Sequence, residues 1–178
     1  MSRGGPDLSA GDYAFLGFVG RGVDTAYQIK KAMAGSISHF WNAAHSQVYS
    51  QATRLARDGF VREREETDGR RRKVLSLTPK GRTTLRRWLG EPAGIAELRD
   101  EMLVKVFFAA EGDPATVRKV LEQQREKYRD GLTEYQQLHE QLGKADGPMW
   151  EHARLTLELG IAVHTAYLAW LDSAIPRI

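Results

Sequence analysis

The stretch SQVYSQATRLARDGFVREREETDGRRRKVLSLTPKG, Ser46 to Gly81, changes its period midway, and that change decides the fold. In its first part Val48, Ala52, Leu55 and Ala56 recur at i, i+4, i+7 and i+8, one apolar stripe along a helix. Ser46 stands where a capping hydroxyl would open that helix, and Gly59 where a left-handed glycine would close it. FVREREE and RKVLSL then flank Asp68-Gly69, a short-range hairpin signal whose loop length the residues leave open. Thr78-Pro79, a capping residue before a proline at the first helical position, opens a further helix with Leu85, Trp88 and Leu89 as its stripe.

Upstream, the apolar run Tyr13 to Val19 ends at Gly20 and Gly22 and reads as a short buried helix. Asp24 or Thr25 can cap a second helix through Met33, with Tyr27, Ile29 and Met33 as its apolar members and Gly35 as its stop. A connector holding Phe40 and Trp41 leads to Ser46. Helix, helix, helix, hairpin, helix is the order of a winged helix. In that variant of helix-turn-helix the third helix enters the major groove and the hairpin tip lies along the phosphates.

Downstream, GEPAGIAE (Gly90 to Glu97) interrupts the helical pattern and divides the chain into domains 1–90 and 91–178. A helix is expected over Glu97 to Ala110, with Leu98, Met102 and Phe108 among its apolar positions. Asp113-Pro114 starts another, in which Val117, Leu121, Gln124, Tyr128, Gly131, Tyr135, Leu138 and Leu142 step as a heptad seam. Gln124 and Gly131 are poor knobs in it. Met149 to Ser173 is apolar nearly all round and wants burial on more than one side, for which a second chain is the natural cover. The expected fold class is mainly α with a small two-stranded wing: an N-terminal winged helix-turn-helix and an all-helical C-terminal dimerisation region.

Composition narrows the chemistry. The 178 residues include no cysteine, which excludes disulfide frameworks, thiolate zinc sites and thiol nucleophiles and fits a reducing cytoplasm. The N-terminus lacks the apolar core of a signal peptide, and Leu159 to Leu171 is too short to span a bilayer, so a soluble cytoplasmic protein is expected. The net charge of +3 conceals an asymmetry. Residues 1–90 carry 16 Lys+Arg against 8 Asp+Glu, a net of +8; residues 91–178 carry 10 against 15, a net of −5. The first half is the one suited to a polyanion. GFVGRG (Gly17 to Gly22) lacks a preceding strand and a Walker lysine, and the histidines show no metal spacing. No catalytic residue, metal or cofactor is expected.

The apolar stripe of the third helix leaves Ser46, Gln47, Ser50, Gln51, Arg54 and Arg57 facing outward. Ser and Gln can bond base edges, and the arginines suit flanking phosphates. Tyr49 is expected to pack its ring and direct its hydroxyl outward. Arg70, Arg71, Arg72 and Lys73 at the wing can reach phosphates, two of them at most, because Glu63, Glu65 and Glu66 oppose them. Lys30 on the second helix is a weaker candidate of the same kind. Core packing is the simpler reading of most aromatic residues; the effector candidates are His39, Phe40, Trp41, Trp150, His164 and Tyr167.

These features resemble the PadR family of bacterial transcriptional regulators. The resemblance rests on Phe40-Trp41, on HSQVYSQATRLARDGFV (His45 to Val61), on EETDGRRRKVLSLTPKGRTTLRRWL (Glu65 to Leu89) and on ELRDEMLVKVFFA (Glu97 to Ala109). The long C-terminal half is similar to the subgroup that holds the AphA-type virulence activators. One departure is the segment Ala44-His45-Ser46-Gln47, where many relatives carry proline. The resemblance implies a homodimer joined through C-terminal helices and a pseudo-palindromic double-stranded operator, read by one third helix per half-site. It also implies relief of repression by a small aromatic or hydrophobic effector, and it carries the family's tyrosine and polar positions onto Tyr49, Ser46, Gln47 and Ser50. A repressor is favoured over an activator. The rivals are a winged-helix protein adaptor and a ligand-binding protein without a DNA role.

Overall fold

The computed structural model describes residues 8–37, 40–41, 47–66, 72–95 and 98–178. The chain forms two compact units, Met1–Gly94 and Ile95–Ile178. The first holds α1 (Ala10–Gly20), α2 (Ala26–Ser36), α3 (Val48–Arg57), β1 (Val61–Glu66), β2 (Arg72–Leu77) and α4 (Pro79–Leu89). This is the winged-helix order.

Local chemistry sets each boundary. α1 starts earlier than its apolar run because Ser9 and Asp12 form a capping box, with each residue's side chain accepting from the other's backbone N–H. Thr25 caps α2, accepting from Gln28 N at 3.2 Å. The helix runs through Gly35 instead of stopping there, since Gly35 keeps a negative φ. The N-cap of α3 is Gln47, with no side-chain cap bond; Ser46 lies outside the described residues. α3 ends as its sequence suggests. Gly59 has φ +77°, its N–H donates to Ala56 O at 3.0 Å, and Phe60 N–H donates to Leu55 O at 2.9 Å, a Schellman closure.

Three elements then meet at one backbone group. The carbonyl of Phe60 accepts from Thr78 N at 3.1 Å and from Thr78 Oγ1 at 3.1 Å, while Thr78 caps α4 through Gly81 N. A Cβ on Gly81 would lie 2.0 Å from that carbonyl oxygen, so only glycine admits this close approach. The hairpin pairs Val61↔Leu77 through Glu66↔Arg72, which leaves five residues in the connection, more than the two of a tight turn. At its base Leu75 N–H donates to Asp24 O at 2.7 Å. Phe15, Leu16, Ile29 and Leu55 are fully buried, each worth about 1.5–3 kcal/mol of burial. Tyr13 stacks on Trp88 at 4.5 Å, which makes Trp88 a packing residue.

The second unit holds α5 (Glu101–Phe107), a 3-10 turn (Ala109–Glu111), α6 (Pro114–Leu142), α7 (Pro148–Ala174) and a last 3-10 turn (Ile175–Arg177). α5 is shorter than the expected Glu97–Ala110. Asp100 supplies its cap, accepting from Met102 N at 2.8 Å, and the backbone leaves helical geometry at Phe108. Asp113 caps α6 as expected. α6 and α7 are antiparallel, as the pairs Arg125–Asp172 and His139–Glu158 require. The heptad positions of α6 are its buried or half-buried side. The poor knob Gly131 has a purpose: His164 of α7 occupies the space its side chain would need, 2.8 Å from a Cβ built there. Gly160 of α7 admits the ring of Tyr135 in the same way, at 2.9 Å. Among the described residues no helix is long and apolar enough to cross a membrane.

Candidate nucleic-acid interface

The outward face of α3 presents Gln47, Tyr49, Ser50, Thr53 and Arg57. Ser50 Oγ donates to Gln47 O at 2.9 Å and Thr53 Oγ1 to Tyr49 O at 3.2 Å, so each hydroxyl oxygen keeps its accepting lone pairs for an outside donor. Tyr49 is 53% exposed. Its ring is not packed as the sequence suggested, because Val48 beside it takes the buried position. Thr53 was not singled out in the sequence; its place opposite the Val48–Ala52–Leu55 stripe is the signal that would have found it. Arg57 pairs with its neighbour Asp58 at 2.9 Å.

Gln51 and Arg54 behave differently. Gln51 Nε2 donates to Asp12 Oδ1 at 2.7 Å, and the Arg54 guanidinium donates to the same oxygen. Asp12, on α1, is buried, with Ser9 N and Ser9 Oγ donating to its Oδ2 at 2.9 Å each. Burial pushes this carboxyl's pKa up, but the bonds from Gln51 and Ser9 and the charge of Arg54 outweigh it and hold the group below the ordinary aspartate value. The two α3 side chains are therefore engaged within the fold.

On the wing, Arg72 pairs with Asp24 at 2.5 Å and Lys73 with Glu63 at 2.5 Å. The bond and charge of Glu63 raise the Lys73 ammonium's pKa, and Glu65 adds to this. Arg70 and Arg71 fall outside the described residues, between strands that end at Glu66 and begin at Arg72. Lys30 is exposed on α2. Lys80 Nζ donates to Asp58 O at 2.7 Å and lies over the Phe60 ring.

The effector candidates separate by unit. Phe40 and Trp41 are exposed in the first, and His39 lies outside the described residues. In the second, His164 and Tyr167 come together with two aromatics that the sequence placed in a seam. Tyr128 stacks on Tyr167 at 4.5 Å, and Tyr128 and Tyr135 meet the His164 ring edge-on at 5.2 and 4.7 Å. Tyr167 Oη donates to Asp100 Oδ2 at 2.8 Å, and burial followed by that carboxylate pushes its phenol pKa far up. Trp150 is exposed near the start of α7. Asp100 and Asp12 both escaped the sequence reading.

Two family models divide the chain between them. Residues 15–87 match the transcriptional regulator PadR-like family, and residues 98–178 match the virulence activator alpha C-terminal domain. The negative transcriptional regulator PadR of Bacillus subtilis (strain 168) is 27% identical over 175 residues, spanning 93% of this chain and 96% of that one. Its crystal structure with operator DNA superposes with a TM-score of 0.85 at 26% identity, covering 95% of this chain and 99% of that one. Its complex with p-coumaric acid gives 0.78 at 26% identity, with 92% of each chain covered. The Vibrio cholerae virulence activator AphA gives 0.77 at 26% identity, over 93% of this chain and 96% of that one. With a winged helix matched in one half, a helical domain in the other and whole-length likeness across both, the chain belongs to the PadR-like family of transcriptional regulators.

Proposed function

We propose that the protein is a cytoplasmic, homodimeric repressor that binds a pseudo-palindromic DNA operator through α3 and is released by a small aromatic or hydrophobic effector. The observation that carries this reading is the exposed polar face of α3, with Gln47, Tyr49 and Ser50 on its first turn, where a recognition helix meets base edges. Ser46 adjoins it in sequence. Arg70 and Arg71, next to the paired Arg72 and Lys73, are the wing cations proposed to meet phosphate, with Lys30 supporting from α2. The role calls for no catalytic group.

The Bacillus relative supports both halves of the reading, having been crystallised with operator DNA and with p-coumaric acid. In this chain residues 1–90 bind DNA, while 91–178 dimerise and take the effector. The dimer is supported by an apolar stripe on α7, where Leu155, Leu159, Val163 and Trp170 are all exposed. Those residues step by one or two helical turns and face away from α6, so a second copy of α7 is their cover. For the effector, the Tyr128–His164–Tyr167 cluster offers ring faces and a phenol–carboxylate bond, chemistry suited to a phenolic ligand. Phe40, Trp41 and Trp150 are further candidates, each exposed, with His39 beside the first two in sequence.

The test is a binding titration against the duplex upstream of the protein's own gene, with random DNA as control, at about 50 and 200 mM salt. Preferential, salt-sensitive binding to the upstream duplex, lost on adding a phenolic acid, is the expected result. Binding to neither duplex would overturn the reading.

A further inference from the structure

Asp12 satisfies two helices with one carboxylate. Oδ2 takes the Ser9 N–H and hydroxyl, which completes the start of α1. A capping box of that kind needs no burial and no distant partner. Yet the group is buried, and its other oxygen takes Gln51 and Arg54, two residues three apart on α3. One oxygen faces each helix, so the start of α1 and the middle of α3 are joined by directional bonds.

Such a link controls something that the apolar stripe does not. Val48, Ala52 and Leu55 hold α3 against the core, but apolar contact is non-directional. A helix is about 10–12 Å across with its side chains, so a roll of about 20° moves an outer atom roughly 2 Å. That displacement is enough to break a hydrogen bond to a base edge. Hydrogen bonds to a fixed carboxylate resist the roll.

We propose that Asp12 is a positioning residue for the recognition helix. It fixes the roll of α3 and keeps Gln51 and Arg54 out of contact with bases and phosphates. Gln47, Tyr49, Ser50 and Thr53 are left to read the groove. Were Arg54 to swing out to a phosphate, it would leave a buried carboxylate without its cation beside a polyanion, and that arrangement is disfavoured twice over. The inference rests on the DNA-binding reading, and its test separates the two.

A duplex is first enriched from a random-sequence library with the full-length wild-type chain. If no motif emerges, the operator reading falls and the positioning role of Asp12 falls with it. With an enriched duplex, affinities for it and for random DNA are measured between about 50 and 200 mM salt for wild type, Asp12→Asn, Arg54→Ala and the double variant. Each single change is expected to lower the enriched-to-random affinity ratio about tenfold, with the double variant no worse than the poorer single. Arg54→Ala should keep the wild-type salt slope. A slope reduced by about one unit with the ratio intact would make Arg54 a phosphate contact and overturn the proposal. So would losses that simply add in the double variant.

If Asp12→Asn does not fold, Arg54→Ala and Gln51→Ala, both at half-exposed sites, still decide the matter. Repeating the enrichment with Gln51→Ala should blur every base position alike. A motif relaxed at one position only would make Gln51 a direct reader and refute the positioning role.

Discussion

The carboxyl of Asp12 ionises below the ordinary aspartate range although burial pushes it the other way. A group whose folded pKa is lowered stabilises the fold fully above its unfolded value and loses that contribution as pH falls through the folded value. The melting temperature of the wild type is therefore expected to drop as pH is lowered from about 5 to 3, and more steeply than that of Asp12→Asn. Parallel pH profiles for the two proteins would show that the carboxylate contributes nothing of the kind. At this scale the sequence was half legible. Ser9 and Asp12 have capping-box spacing, and a reader could find the start of α1 from them. Their partners lie 39 and 42 residues away on another helix, and no local pattern encodes a contact of that range. The same limit explains Tyr49 and the wing. Which rotamer a surface tyrosine adopts, and which carboxylate a cation chooses, are settled by the neighbours that the fold brings near.

Among the elements, periodicity carried most of the information. The switch from a 3.6-residue to a two-residue period between α3 and β1, closed by Gly59, placed α3 and the hairpin. The heptad steps of α6 placed its buried side. Boundaries followed when a cap was visible, as at Thr78 and Asp113, and drifted when apolar residues were counted without one, as at α5. Gly131 is instructive. In sequence it weakens the seam; in the structure it makes room for His164, whose Nδ1–H donates to Gly160 O at 2.9 Å and so cannot easily move aside. Alanine is the better helix former by about 1 kcal/mol, yet Gly131→Ala is expected to destabilise the protein by about 1–2 kcal/mol through overpacking. Removing the obstacle should reverse the sign: in a His164→Ala background the same change should be neutral or stabilising. Denaturant melts of the four proteins measure this, and destabilisation unaltered by His164→Ala would refute the packing account.

For the whole molecule, charge spoke before structure did: a basic half and an acidic half, each later matched by its own family model. Assembly is expected for a general reason, that α7 is apolar nearly all round. The residues left bare once α6 has covered one side could be named only from the structure. Leu159, 68% exposed at the middle of that stripe, is the place to test it. Leu159→Glu is expected to yield a folded monomer at micromolar concentration in equilibrium sedimentation, where the wild type is expected to sediment as a dimer; a variant that stays dimeric would place the interface elsewhere. In the wild type the melting temperature should also rise with protein concentration. The bare stripe has a consequence for the cell as well. If two chains must meet before a two-fold operator is filled, occupancy at low abundance climbs as the square of the number of copies made. A modest fall in synthesis would then open the gene disproportionately, giving the circuit a threshold without any cooperative contact between dimers.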